Sequence, residues 1–311
     1  PPKWLLKQGA LGHRGTPFLL CSDWHFGEVV RGPEVGGVNV FNTEIAKARA
    51  ETLFKTAVAL AFDHMGRAPV KYPGIICALG GDMTTGSIHP ESIETDRAVL
   101  QTLNDLEDVL IPGLTLLADK FGLVYVPSVC GNHGRNTLKP RMSGYVHHNY
   151  EWNLYCSLEK HFKRIGDTRI QFDIPEQTDL LFKSYGHRYM LTHGDNLGTA
   201  GGDGMIGVLG PIMRGAIKVG RSESQIGRDF DTMVIGHYHQ KLVGPGNCVI
   251  VNNALKGYDT YAKLKLRAAY SRPSQALWFT HPEHGITAHW DIYLDKKQSA
   301  YQNKKWVEFQ R

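Results

Sequence analysis

Seven side chains of this 311-residue sequence could ligate metal ions, and they come from five short segments. Asp23 and His25 are separated by one residue, and Asp82 follows Gly80-Gly81. Asn132 lies in Gly131-Asn132-His133-Gly134, His193 in Thr192-His193-Gly194-Asp195, and His237 and His239 flank Tyr238. Imidazole mixed with carboxylate and amide oxygen suits manganese, iron, zinc or nickel better than magnesium or calcium. Taken singly, each motif has a plainer reading; Asp23 could be a turn aspartate with an incidental histidine beside it. Taken together they supply about the number of ligands that two adjacent divalent ions need once shared waters are counted. Asp82 then reads as the carboxylate that both ions share.

These residues need elements to position them, and the pattern around each is the same. Phe18–Ser22, Ile75–Leu79, Leu123–Cys130, Arg188–Leu191 and Thr232–Ile235 are apolar runs of strand length. Each stops just before one of the ligand segments. In an open α/β sheet, ligands bind outside the carboxyl ends of strands. Asn42-Thr43-Glu44 reads as a helix start, with apolar residues at helical spacing up to Gly66. That helix joins the first two strands as a βαβ unit with an expected right-handed crossover. A second helical pattern runs from Glu91 to Phe121, with Pro112 expected to kink or interrupt it. A third runs from Tyr145 to Ile165.

Further on, Thr168–Phe172, Leu180–Tyr185 and Arg188–Leu191 read as successive strands of a second sheet. Val249–Asn253, Ala276–Thr280 and Ile286–Leu294 would finish it. Residues 198–229 are rich in glycine and carry Arg214, Lys218, Arg221 and Arg228. Part of this stretch, Met205–Val219, reads as a helix and the rest as an active-site loop or lid. A basic tail begins at Lys296. No internal repeat or linker divides the chain, so residues 1–311 are expected to form one domain.

Hydrophobic residues make up 42% of the chain, enough for a substantial core, and the formal charge is +5 with a pI near 8.9. A mildly basic balance suits an anionic substrate. No apolar run is long enough to span a bilayer. The start has too short an apolar run for a signal peptide, although the first residue is not methionine. The five cysteines are far apart and lack paired metal-site spacing, as expected of small buried hydrophobes in a reducing compartment. The expectation is a cytoplasmic protein with no membrane partner.

The ordered set Asp23-x-His25, Gly81-Asp82, Gly131-Asn132-His133, His193 and Gly236-His237-x-His239 resembles the calcineurin-like metallophosphoesterases. The resemblance runs from about Phe18 to Asn253. It implies an α/β fold, a four-layer α-β-β-α sandwich of two mixed sheets. Carried over residue by residue, Asp23, His25 and His239 would hold one metal, Asn132, His193 and His237 the other, and Asp82 would bridge them. His133 would be the catalytic histidine beside the phosphate. The resemblance implies two divalent transition-metal ions, manganese first, and phosphate-ester hydrolysis by a metal-bridging hydroxide. Two departures stand out. Met83-Thr84-Thr85-Gly86 follows Asp82 where many members carry an acid, and Gly134 follows His133 where many carry Asp or Glu. Asp195 is then a candidate to orient His133.

Three substrate readings follow. The first is a phosphodiesterase or nuclease acting on DNA or RNA. Its support is the cationic residues of 214–228 together with Lys256, Lys263, Lys265, Arg267 and Arg272. Trp24 could stack on a base and Arg135 could clamp a phosphate oxygen. Against it, the family's repair nucleases carry an added capping domain for which the segment after His239 is short. The second reading is a phosphoesterase for a small nucleotide, a phosphomonoester or a phosphoprotein. The third is a non-catalytic scaffold of the same fold.

Overall fold

The computed structural model describes residues 1–3, 15–64, 71–89, 93–197, 209–266 and 268–295. Eleven strands among them form two mixed sheets. They are β1 (Thr16–Cys21), β2 (Ile75–Leu79), β3 (Val124–Pro127), β4 (Ile170–Asp173), β5 (Asp179–Ser184), β6 (His187–Thr192), β7 (Thr232–Ile235), β8 (Leu242–Val243), β9 (Val249–Val251), β10 (Ser274–His281) and β11 (Gly285–Tyr293). The first sheet has the order β11-β10-β1-β2-β3-β4 and the second β5-β6-β7-β9-β8. In the first, β1 to β4 are mutually parallel and β10 lies antiparallel to β1. In the second, β6, β7 and β9 are parallel, with β5 and β8 antiparallel at the edges.

Successive side chains along a strand point to opposite faces, and that alternation builds the layers. Leu19, Cys21, Cys77, Leu79, Val124 and Val126 face one way and pack under three helices. These are α1 (Thr43–Ala59), α2 (Val99–Phe121) and α3 (Tyr150–Arg164). Their buried stripes include Leu53 and Phe54, then Leu106, Leu110 and Leu114, then Leu154 and Leu158. Phe18, Leu20, Ile76, Ala78, Tyr125 and Trp278 face the other way and meet Phe182, Tyr189, Leu191, Val234 and Ile250 of the second sheet. Aromatic rings fill much of this inter-sheet layer. Phe18 stacks on Trp278 with centroids 4.1 Å apart, and Phe182 stacks on Tyr189 at 5.4 Å. The Tyr189 hydroxyl, fully buried, accepts from Trp278 Nε1 at 3.3 Å and lies 2.6 Å from Thr280 Oγ1. The outer face of the second sheet, with Met190, Met233, Ile235 and Val251, is covered by Ile212 of α4 (Leu209–Gln225). The expected four-layer α-β-β-α sandwich of two mixed sheets is the architecture found.

Three details differ from expectation. β4, β10 and β11 belong to the first sheet, not the second. Strand partners are chosen across long sequence gaps, and an apolar run does not reveal which edge it joins. The second helix starts at Val99, not Glu91. Residues 93–96 instead pair with the loop after β1, through Val29 N to Glu94 O at 2.8 Å and Asp96 N to Gly27 O at 2.9 Å. Asp96 in turn accepts from the Thr43 backbone and hydroxyl at the start of α1. Finally, α2 runs unbroken through Pro112, because buried Leu103, Leu106, Leu110, Leu114 and Leu117 pack on both sides of it. One lost backbone bond is outweighed by that apolar face.

The first part of the expected lid, 198–208, lies outside the described residues, as do Arg267 and the basic tail from 296. Residues 209–225 of the lid stretch are α4. No helix among the described residues is long and apolar enough to cross a membrane.

Candidate metal centre

All seven candidate ligands lie just past the carboxyl ends of parallel strands. Asp23 and His25 follow β1, Asp82 follows β2, and Asn132 follows β3. From the second sheet, His193 follows β6, and His237 and His239 follow β7. The first two loops are laced together by backbone hydrogen bonds from Asp23 N to Gly81 O and from His25 N to Asp82 O, both 3.0 Å. Asp23, His25, Asp82, His237 and His239 all have positive φ, between 50° and 66°. They are five of the eight non-glycine residues in that region among those described. Left-handed backbone is unfavourable for such side chains and concentrates at functional sites.

The side chains fall into two groups whose candidate donor atoms lie within 4.8 Å of one another, Asp23–His25–His239 and Asp82–His193–His237. His25 Nε2 and His239 Nε2 are 3.1 Å apart, and His239 Nε2 is 3.3 Å from Asp23 Oδ1. In the second group His193 Nε2 lies 3.1 Å from Asp82 Oδ2, and His237 Nδ1 lies 3.1 Å from Asn132 Oδ1. Asp82 Oδ2 is also 4.0 Å from His25 Nε2, so one oxygen faces both groups. Its partner Oδ1 accepts from the His133 backbone N–H at 2.8 Å.

The donors fit metal ions on two counts. His193 Nδ1 lies 2.8 Å from the Gly80 carbonyl, which can only accept, so Nδ1 carries a proton. Its Nε2 is buried and makes no hydrogen bond, although a carboxylate oxygen is near. A lone pair aimed at a carboxylate in a dry site calls for a cation between them. Without one, a proton takes that place. Burial opposes charge on His193, but Asp82 and Asp23 outweigh it and hold the imidazolium well above its ordinary range. Burial also works against the Asp82 carboxylate, yet His193, His133 and His25 pull it well below the usual value. His25 is pushed well down by burial and by Lys256, and His237 falls to about 4 through burial and the His193 charge. Two neutral imidazoles beside two buried carboxylates make a good cation site.

Several residues support the candidate ligands in ways that the sequence reading did not assign. Glu151, in the first turn of α3, is fully buried and accepts from Met83 N at 2.6 Å, Thr84 N at 3.3 Å and Gly131 N at 2.8 Å. It ties the Asp82 loop to the Asn132 loop. Burial and the nearby Asp82 charge raise its carboxyl to about 7. Asn252 donates to Ser22 Oγ at 3.0 Å, and Ser22 donates to Asp23 Oδ2 at 2.6 Å. Behind His25 lies a buried cluster of Glu28, Lys256 and Asp259.

Other sequence expectations come out differently. Trp24 is 0% exposed, with Nε1 donating to Gln275 Oε1 and the ring packed on Phe26 and Phe54. It has no free face for a base. Arg135 donates to the carbonyls of Thr137 and Leu138, at 3.0 and 3.2 Å, and so folds its own loop. Lys256 is no solvated cation but a buried ion-pair partner. Asp195 does not orient His133. Its Oδ2 accepts from Tyr145 OH at 3.0 Å, while His133 Nδ1 lies 3.0 Å from the Thr85 carbonyl.

The glycine after His133 has a steric reason. A Cβ at Gly134 would stand 2.3 Å from Asn149 Oδ1 and 2.7 Å from Glu151 Cγ. Asn149 caps α3 and also donates to Gly131 O at 2.7 Å, so it has little room to yield. Gly134→Ala is expected to destabilise the chain by about 1–3 kcal/mol through overpacking, read from the urea-denaturation midpoint. An unchanged midpoint would refute the steric account.

No protein-family model matches the chain, and no curated protein sequence does. Among solved structures, the chain is similar to Vps29 from Entamoeba histolytica in complex with Zn²⁺, at 12% identity and a TM-score of 0.36 over 89% of this chain and 99% of that one. A predicted phosphoesterase from Streptococcus pneumoniae is similar at 10% identity and a TM-score of 0.31, over 90% and 99%. The phosphopantetheinyl hydrolase of Mycobacterium tuberculosis is similar at 12% identity and a TM-score of 0.33, over 81% and 93%.

Proposed function

We propose that this chain is a calcineurin-like metallophosphoesterase, a two-metal hydrolase of phosphate esters. The observation that carries the reading is Asp82 Oδ2, one oxygen facing both donor groups. Asp23, His25 and His239 would hold one ion, Asn132, His193 and His237 the other, and Asp82 both. Divalent transition ions held there, manganese, iron, zinc or nickel, would supply water activation near neutral pH and charge neutralisation at phosphoryl oxygens.

The chain's own residues supply the rest. His133 is half-buried and stands edge-on to His25, with ring centroids 4.7 Å apart. Its Nδ1–H donates to Thr85 O, which leaves Nε2 to hold or deliver a proton at the leaving oxygen. The His133 backbone N–H, bonded to Asp82 Oδ1, fixes the distance between proton donor and metal groups.

We read the ester as a phosphodiester of nucleic acid. Arg214, Lys218 and Arg221 are exposed at spacings of four and three along α4, so they share one helix face. A polyanion would bind such a stripe in a salt-sensitive way. Trp24 and Lys256, both buried, lend this reading nothing. The manganese-loaded chain should be offered single-stranded DNA, an aryl phosphodiester and an aryl phosphomonoester. DNA cleavage is the expected result. Monoester turnover with DNA untouched overturns the nucleic-acid reading, and turnover of none overturns the hydrolase.

A further inference from the structure

The buried cluster behind His25 has a role that the two-metal reading leaves unassigned. Glu28, Lys256 and Asp259 are 5%, 3% and 3% exposed. Lys256 Nζ lies 2.9 and 3.0 Å from the two oxygens of Glu28 and 2.6 Å from Asp259 Oδ2. Two carboxylates around one ammonium leave a net negative charge in a dry place. Such a charge is costly unless something positive stands near. The group next to it is His25, whose Nδ1 is buried without a hydrogen bond and lies 3.5 Å from Glu28 Oε2. The opposite nitrogen of that ring, Nε2, faces His239 and Asp82.

Glu28 reaches a second histidine as well. The Thr85 hydroxyl donates to Glu28 Oε2 at 3.0 Å, and the Thr85 carbonyl takes the Nδ1–H of His133. One carboxylate thus stands behind both a candidate ligand and the candidate proton donor. It reaches His133 at one remove, through Thr85, from a loop other than that of His133.

Resting on the two-metal reading, we propose that Glu28 is the positioning residue for both histidines. It holds the proton of His25 on Nδ1 as a hydrogen-bond acceptor, so that the Nε2 lone pair points at the ion, and through Thr85 it fixes the ring of His133. Lys256 holds the carboxylate in place and Asp259 balances Lys256. Hydrogen-bonded partners of this kind set the tautomer of a ligand histidine and raise its basicity.

The test uses Glu28→Gln, which keeps the shape and lowers the charge, and Thr85→Val, which removes only the hydroxyl. Each full-length chain is titrated with Zn²⁺ by calorimetry, and the imidazole nitrogens are followed by NMR before and after metal. Glu28→Gln is expected to weaken one of the two Zn²⁺ events by roughly 10–100-fold and to move the resonances of His25 and His133. Thr85→Val is expected to keep both events, move the His133 resonances and lower kcat with KM unchanged. Wild-type affinity for both ions with unmoved resonances in Glu28→Gln overturns the proposal. If that variant does not fold, unmoved His133 resonances in Thr85→Val overturn it instead. A wild-type chain that takes up no Zn²⁺ defeats the two-metal reading, and the metal-free resonances still decide on Glu28.

Discussion

Asp82→Ala is expected to lose both divalent ions on dialysis and to lose at least about 10³-fold in phosphoester turnover. The reason is geometric. Asp82 Oδ2 approaches His193 and His25, one from each donor group, and Oδ1 holds the His133 backbone. Alanine removes all three contacts together. His193 also loses the carboxylate that holds its charge, so the second group is left with imidazole and amide donors alone. Metal analysis of the purified variant checks this directly. Retention of two ions per chain would show that the groups bind independently of Asp82.

His133→Ala should do the reverse. Among the described residues its side chain hydrogen-bonds the Thr85 carbonyl, at 3.0 Å, and it belongs to neither donor group. Both ions should therefore remain, while kcat falls by about 10²–10⁴-fold, the range typical of a general acid. The loss should be largest for esters with poor leaving groups, which need a proton most. Measured turnover of an alkyl and an aryl ester side by side, with metal content determined on the same sample, checks both parts. Equal losses on the two esters would remove His133 from proton transfer.

The candidate ligand residues could be picked out in the sequence because each sits where an apolar run of strand length stops. The residue types there, Asp, His and Asn, with Asp82, Asn132, His193 and His237 next to a glycine, also tolerate tight turns. The sandwich was implied by the family resemblance, and the order of those runs fits it. Sheet membership did not follow from them, because β10 reaches β1 across more than half the chain, and nothing local to Ser274–His281 names that partner. Glu151, Glu28 and Lys256 were illegible for another reason. A charged residue is ordinarily solvated, and only the fold shows that these three are enclosed, Glu28 paired with Lys256 and Glu151 accepting from backbone N–H groups. For Trp24 the sequence left both base stacking and wall packing open, and the ring turns inward under α1 against Phe54.

The candidate centre draws its donor residues from both sheets, three segments from one and two from the other. Its dimensions are therefore governed by how the sheets are stacked, and the spacer between them is the aromatic layer of Phe18, Trp278, Phe182 and Tyr189. Any sideways slip of one sheet over the other would be felt at the far rim as a change in bite between Asp82 and His193. Rings with no direct part in the chemistry thus act as its ruler.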